Sequence, residues 1–212
     1  MTVFKVITVL AFVMFTTVIS AKADTPVSDM PAGLYSLDKN HSSLHVKIDH
    51  VGLSKYTIRF DHFDSVVQLD PQNITQSRVR ATIDMTSVNT GHPNEDGKDF
   101  DKKLSEGKEW LNTETFPKAE FISRGVEKTG DNTAVITGDL TFMGVTKPVT
   151  LNATLNAALG NHPFLNKPAL GISATGSFKR SDFGLKTYIP HVGDDVQIVI
   201  EAEYVFGYTH GQ

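Results

Sequence analysis

Residues 135–155 read VITGDLTFMGVTKPVTLNATL. After the turn expected at Gly144-Val145-Thr146-Lys147-Pro148, Val149, Leu151, Ala153 and Leu155 alternate with Thr150, Asn152, Thr154 and Asn156. Strict alternation of this kind marks a β-strand with one face in a core and one in water. Before the turn, Ile136, Gly138, Leu140 and Phe142 form the more apolar parity of a partner strand. The stretch is therefore a β-hairpin with one dry face, and that face needs something to pack against.

The same grammar runs outward in both directions. Leu44, Val46, Ile48 and His50 share one face of a strand, and after a turn at 52–54 so do Tyr56, Ile58, Phe60 and His62. Val79, Ala81, Ile83 and Met85 form the next inner face, with arginines and polar groups opposite. Strands are also expected at 34–37, 66–69, 119–126 and 132–142, the last two joined by Thr129-Gly130-Asp131-Asn132. Towards the end, Ile172, Ala174, Gly176, Phe178 and Arg180 share a face, as do Val196, Ile198, Ile200, Ala202, Tyr204 and Phe206. One helical stretch stands out, at 99–110, with Phe100, Leu104 and Trp110 as a partial apolar stripe. About eight antiparallel strands joined by short turns, with one or two short helices, close most economically into a barrel, since closure removes the exposed edges.

The first residues belong to export rather than to the fold. Lys5, the apolar run 6–19 and Ala21-Lys22-Ala23 make a secretory signal peptide at 1–23, leaving 24–212 as a single domain. The apolar run is shorter than the roughly 20 residues of a membrane span. The chain has no cysteine, which removes both a lipid attachment point and any disulfide staple. A bacterial periplasm is the expected location. Loss of Lys5 and Lys22 takes the formal charge from −4 to −6. With no basic patch, nucleic acid is excluded as a partner.

An eight-stranded barrel encloses just enough room for its own side chains or for one small ligand. The inner faces carry Ala81, Gly138, Ala153, Ala174, Gly176 and Ala202 among larger apolar groups. Close packing wants bulk at such places, so these small residues point to an apolar cavity; glycines that relieve strain at barrel bends are the alternative at Gly138 and Gly176. The candidate walls are Val46, Ile48, Ile58, Phe60, Ile83, Leu140, Phe142, Leu151, Ala153, Ala174, Gly176, Phe178, Ile198 and Ile200. Arg180, at the end of its strand, suits a phosphate or carbonyl head group, or else snorkels out to Asp182 or Glu203. His50 and His62 sit at the ends of the first hairpin and read as structural. The histidines do not group at ligand spacing; His41 and His45 face outward with no third partner, so no metal site is expected. There is no G-x-S-x-G, no phosphate loop and no H-E-x-x-H, hence no catalytic residue and no enzyme.

In its motifs the chain resembles the YceI-like, polyisoprenoid-binding family of bacterial periplasmic proteins. The resemblance lies in Tyr35-Ser36-Leu37-Asp38, His41-Ser42-Ser43, His50-Val51-Gly52-Leu53-Ser54-Lys55 and Ser87-Val88-Asn89-Thr90-Gly91. Asp101 with Leu104 and Thr115-Phe116-Pro117 with Phe121 follow. The most specific stretches are 138–149, GDLTFMGVTKPV, and 180–185, RSDFGL, followed by VGDDV at 192–196. It implies a lipocalin-like extended barrel around a tunnel for an isoprenoid chain, such as a quinone tail or a polyprenyl diphosphate, with frequent dimerisation. Phe121 and Phe183, within the matching motifs, join the expected wall. The chain departs from the family at Ile58-Arg59, before Phe60, where a glycine is common; a bulkier group there would narrow the tunnel. No catalytic cofactor is implied, only a bound quinone or polyprenyl lipid. The expected role is transport, storage or sequestration. A scavenger of small amphiphiles and a quinone-linked accessory of a membrane redox protein are the alternatives.

Overall fold

The structure, a computed structural model, describes residues 24–95 and 97–207; the segment 1–23, expected to be a signal peptide, lies outside them. Its strands are β1 (Gly33–Leu37), β2 (Ser43–His50), β3 (Ser54–Phe60), β4 (Phe63–Leu69), β5 (Arg78–Asp84), β6 (Val88–Asn89), β7 (Lys118–Lys128), β8 (Thr133–Phe142), β9 (Val145–Leu159), β10 (Ala169–Lys179) and β11 (Val192–Phe206), with a helix α1 at Phe100–Glu106. All neighbouring strands pair antiparallel.

Three pairs of strands are single staves broken in the middle. β11 pairs with β2 along its first part and with β1 along its last. Likewise β3 pairs with β2 and β4 with β1, while β5 pairs with β4 and β6 with β3. Counted this way, the order is β1/β2, β3/β4, β5/β6, β7, β8, β9, β10, β11 and back to β1/β2. The molecule is a closed, up-and-down, eight-stave barrel. Polar residues make the breaks. Asp38 accepts the backbone N–H of Asn40 between β1 and β2, and Asp84 accepts that of Thr86 to start a 3₁₀ turn at Met85–Ser87.

One end is closed and the other is open. At the closed end Met30, Tyr35, Leu37, Val67, Leu69, Ala158, Leu170 and Tyr204 form a packed cluster. Tyr35 is fully buried, and its hydroxyl donates to Pro31 O at 2.9 Å, tying the lead-in segment across the floor. At the open end β6 is only two residues long and does not reach β7. The described residues of the stretch 90–117 fill that gap, with Phe100, Leu104, Trp110 and Leu111 packed on the core. The stretch is held by Thr90, whose N–H and hydroxyl both donate to Asp101 of α1.

Three local expectations are corrected. The turn after β8 is not 144–148 but Met143-Gly144, both left-handed at φ 49° and 74°. Val145 to Pro148 are already strand, paired to β8, and Pro148 is tolerated because β10 reaches β9 only from Leu151 onward. The helix is shorter than 99–110: Asp99 caps it by accepting Lys102 N–H, and the chain turns at Gly107. A Cβ there would lie 2.6 Å from Lys103 O and 2.7 Å from the Trp110 ring. Arg180 lies not in a strand but in a 3₁₀ turn, Arg180–Phe183.

Candidate functional site

The barrel holds a cavity of about 770 Å³ with an overwhelmingly apolar wall. That is the size range of a small-molecule or lipid site. It is built by the alternation of the staves, which turns every second side chain inward.

From β2 and β3 come Val46, Ile48, Ile58 and Phe60, and from β5 Ile83. β7 gives Phe121, β8 gives Leu140 and Phe142, and β9 gives Leu151. Ala174 and Phe178 of β10 and Ile198 and Ile200 of β11 complete the expected set. Ala81, Ala174 and Ala202 do face the space, as small inner residues would. Ile58 lines it too and takes up space there, whereas Arg59 points out to Asp61 at 3.0 Å and does not.

Three expected wall residues are not in the wall. At Gly176 a Cβ would meet Leu151 Cδ2 and Thr150 O, both at 2.7 Å; the glycine lets the neighbouring strand and its leucine lie close. Gly138 does the same beneath the ring of Phe121. Ala153 is buried between Ala134 and Ala174 of the flanking strands and stops short of the space. Phe183 lies behind the wall, its ring 5.6 Å from Phe142 and 5.2 Å from Phe178.

Arg180 borders the cavity, yet its guanidinium is committed elsewhere. It is 2% exposed, and it donates to four backbone carbonyls: Gly193 at 2.7 Å, Thr187 at 2.8 Å, Val192 at 2.9 Å and Leu185 at 3.2 Å. Neither Asp182 nor Glu203 is its partner. Burial lowers its pKa and the charge of Asp194 offsets part of that, while a guanidinium stays protonated throughout. Asp194 accepts both the N–H and the hydroxyl of Ser181, and these bonds hold its pKa down against burial. Arg180 is the nail of the loop 180–191.

The mouth is marked by wall residues that also reach solvent: His50, His92, Lys103 and Tyr188. Tyr56, Phe100 and Trp110 complete it. His62 is exposed at the other end of β3 and does not line the cavity. Sequence reasoning put Tyr56 on an inner face but missed Phe100 and Trp110 as mouth residues, because 90–117 has no alternation to read. Only the apolar stripe of Phe100, Leu104 and Trp110 hinted at them. At the floor, Tyr204, already read as inward, donates to buried Ser65 at 3.0 Å, a bond no local pattern shows.

His41 is not isolated. Its Nδ1 lies 2.9 Å from Asp38 Oδ2, and Glu203 completes a cluster whose ligand-type atoms lie within 4.8 Å of one another. The hydrogen bond and charge of Asp38 raise the His41 pKa. Burial pushes Asp38 up, but the His41 and Asn40 bonds leave it below its ordinary value. His162 approaches Glu203 with Nε2, and its Nδ1 accepts the Phe164 and Leu165 N–H groups at 3.3 Å. At 3.9 Å Nε2 is beyond hydrogen-bonding reach of Glu203, so the latch at the β1/β2 break is the Asp38–His41 pair.

Comparison with known proteins places this geometry. Residues 35–204 match the YceI-like domain family. Protein YceI of Escherichia coli O17:K52:H18 is 38% identical over 173 residues, covering 81% of this chain and 86% of that protein. The crystal structure of Burkholderia cenocepacia BcnA superposes with a TM-score of 0.68 at 25% identity, over 79% of this chain and 98% of that one. A polyisoprenoid binding domain from Saccharophagus degradans, described as implicated in plant cell wall breakdown, shares the fold, with a TM-score of 0.56 at 19% identity over 81% and 97% of the two chains.

Proposed function

The chain belongs to the YceI-like domain family, and we propose that it holds the tail of an isoprenoid lipid, a quinone or polyprenyl diphosphate, in its barrel for transport, storage or sequestration in a bacterial periplasm. The observation that carries this is the wall: apolar along nearly its whole length, closed at one end by a packed floor and open at the other. A prenyl chain is a string of apolar carbons with one polar end. Burial at roughly 0.8 kcal/mol per methylene would hold it firmly, and the single mouth would leave its head near water. The titratable lining groups His50, His92 and Lys103 stand at the mouth and the wall between mouth and floor is apolar, which supports binding as the role of the cavity.

The test fills the space. Ala174 faces it and Thr175, its neighbour, is exposed on the outer face. Ala174→Phe is expected to reduce the affinity for a short-tailed quinone at least tenfold, whereas Thr175→Phe leaves it unchanged. Equal affinity in both would refute the assignment.

A further inference from the structure

We infer that the mouth of the barrel docks on the surface of an anionic phospholipid bilayer. The inference rests on the reading that the cargo is an isoprenoid, which must leave and re-enter a membrane.

The tip of the β2–β3 hairpin presents Val51 and Leu53 to solvent, 51% and 86% exposed. Tyr188, 61% exposed, stands on the loop 180–191, and Val51 N–H donates to His191 O of that loop at 2.7 Å, so tip and loop are joined. Val51 stands at φ 57°, in the left-handed region. A β-branched residue there is strained, and glycine, asparagine or aspartate would sit more easily. A strained and apolar side chain held out in water points to a use outside the fold.

Beside this tip lie the half-buried Trp110 and the exposed Tyr188, residues of the kind that settle at a bilayer–water boundary. The rings of Trp110 and Tyr188 are 5.7 Å apart. Lys108 and Lys186 are close to them along the chain and Lys103 lines the mouth; all three are exposed and have no ion-pair partner among the described residues. Of the nearby acids, Asp49 is paired with Lys55 and Glu106 with Lys102, leaving Glu109 and Asp182. The rim thus offers aliphatic, aromatic and cationic groups, the classes that suit the acyl region, interface and phosphate layer of a bilayer. Tyr188 and Lys103 also line the cavity, so a docked mouth opens onto the lipid and a prenyl chain passes without crossing water. No described helix is long and apolar enough to span a membrane; the contact is peripheral.

The experiment is flotation with vesicles of phosphatidylethanolamine containing about a quarter phosphatidylglycerol, read also by the emission of Trp110, the single tryptophan of the chain. The protein is expected to float and Trp110 to shift to the blue. Val51→Asn with Leu53→Asn should weaken binding roughly ten- to a hundredfold. Neutralising Lys103, Lys108 and Lys186 to Gln should weaken it roughly tenfold and abolish its salt dependence. Isoprenoid content, measured separately by extraction, should be the same in the tip variant and the parent. A loaded protein that does not float, or a tip variant that floats as well as the parent, overturns the docking. So does a parent that sediments as a dimer and a tip variant that sediments as a monomer, which would make the rim a contact between copies. A protein that floats through its rim but extracts empty defeats the cargo reading and leaves the docking standing.

Discussion

Arg180→Met separates a structural arginine from a ligand-binding one. The side chain volume is nearly kept, and four buried carbonyls lose their donor. Leu185 and Thr187 lie in the loop and can turn to water once it loosens. Val192 and Gly193 lie at the start of β11, Val192 paired with His50 and Gly193 pressed close to Asp49. Two acceptors left dry cost about 1–2 kcal/mol each, and the lost loop bonds add a little, for a total near 3 kcal/mol. For a domain of this size that lowers the melting temperature by roughly 6–12 °C. The assay is calorimetry of the mature protein, with quinone affinity measured alongside. Arg180→Lys should recover less than half the loss, because an ammonium cannot reach four carbonyls arrayed around a planar fork. A variant that melts within about 2 °C of the parent and yet loses a charged-head ligand would refute the reasoning, because Arg180 would then be serving the head group.

Two further outcomes follow from single contacts. Gly176→Ala should cost about 1–3 kcal/mol, since its methyl would press on the backbone of Thr150, with quinone affinity unchanged; denaturant melts and a binding titration check both halves. His41, its pKa raised by Asp38, is held protonated more firmly in the folded state. Its contribution is full below the ordinary value of 6.5 and is lost as pH rises through the raised value; the Asp38 share is present above 3.8 and is lost as pH falls. His41→Ala should therefore flatten the stability profile on the alkaline side of pH 6.5, and an NMR titration that finds the His41 pKa at or below 6.5 would contradict the latch.

Alternation made the strands legible, and with them most of the wall. Val46, Ile48, Ile58 and Phe60 could be placed inside because a strand has only two faces. Parity says which way a residue points but not what stands in front of it. Gly138 and Gly176 point inward as read, yet the space they leave is filled by Phe121 and Leu151 from the next strands. Arg180 and Phe183 escaped for another reason: they sit in a 3₁₀ turn, where period two no longer applies. The hairpin after β8 was misplaced because Pro148 looks like a turn residue, while Met143, with no turn chemistry of its own, takes the left-handed position. The mouth, made by 90–117 and 180–191, depends on long-range contacts such as Thr187 donating to Glu109 O, which no local pattern announces.

The most direct test of an isoprenoid-holding barrel is organic extraction of the mature protein, purified without detergent from its native host, with mass spectrometry of the extract. One isoprenoid per barrel, absent from Ala174→Phe prepared in parallel, is the expected result. An extract with no isoprenoid, from a protein that also fails to take up a prenylated quinone in solution, would contradict it.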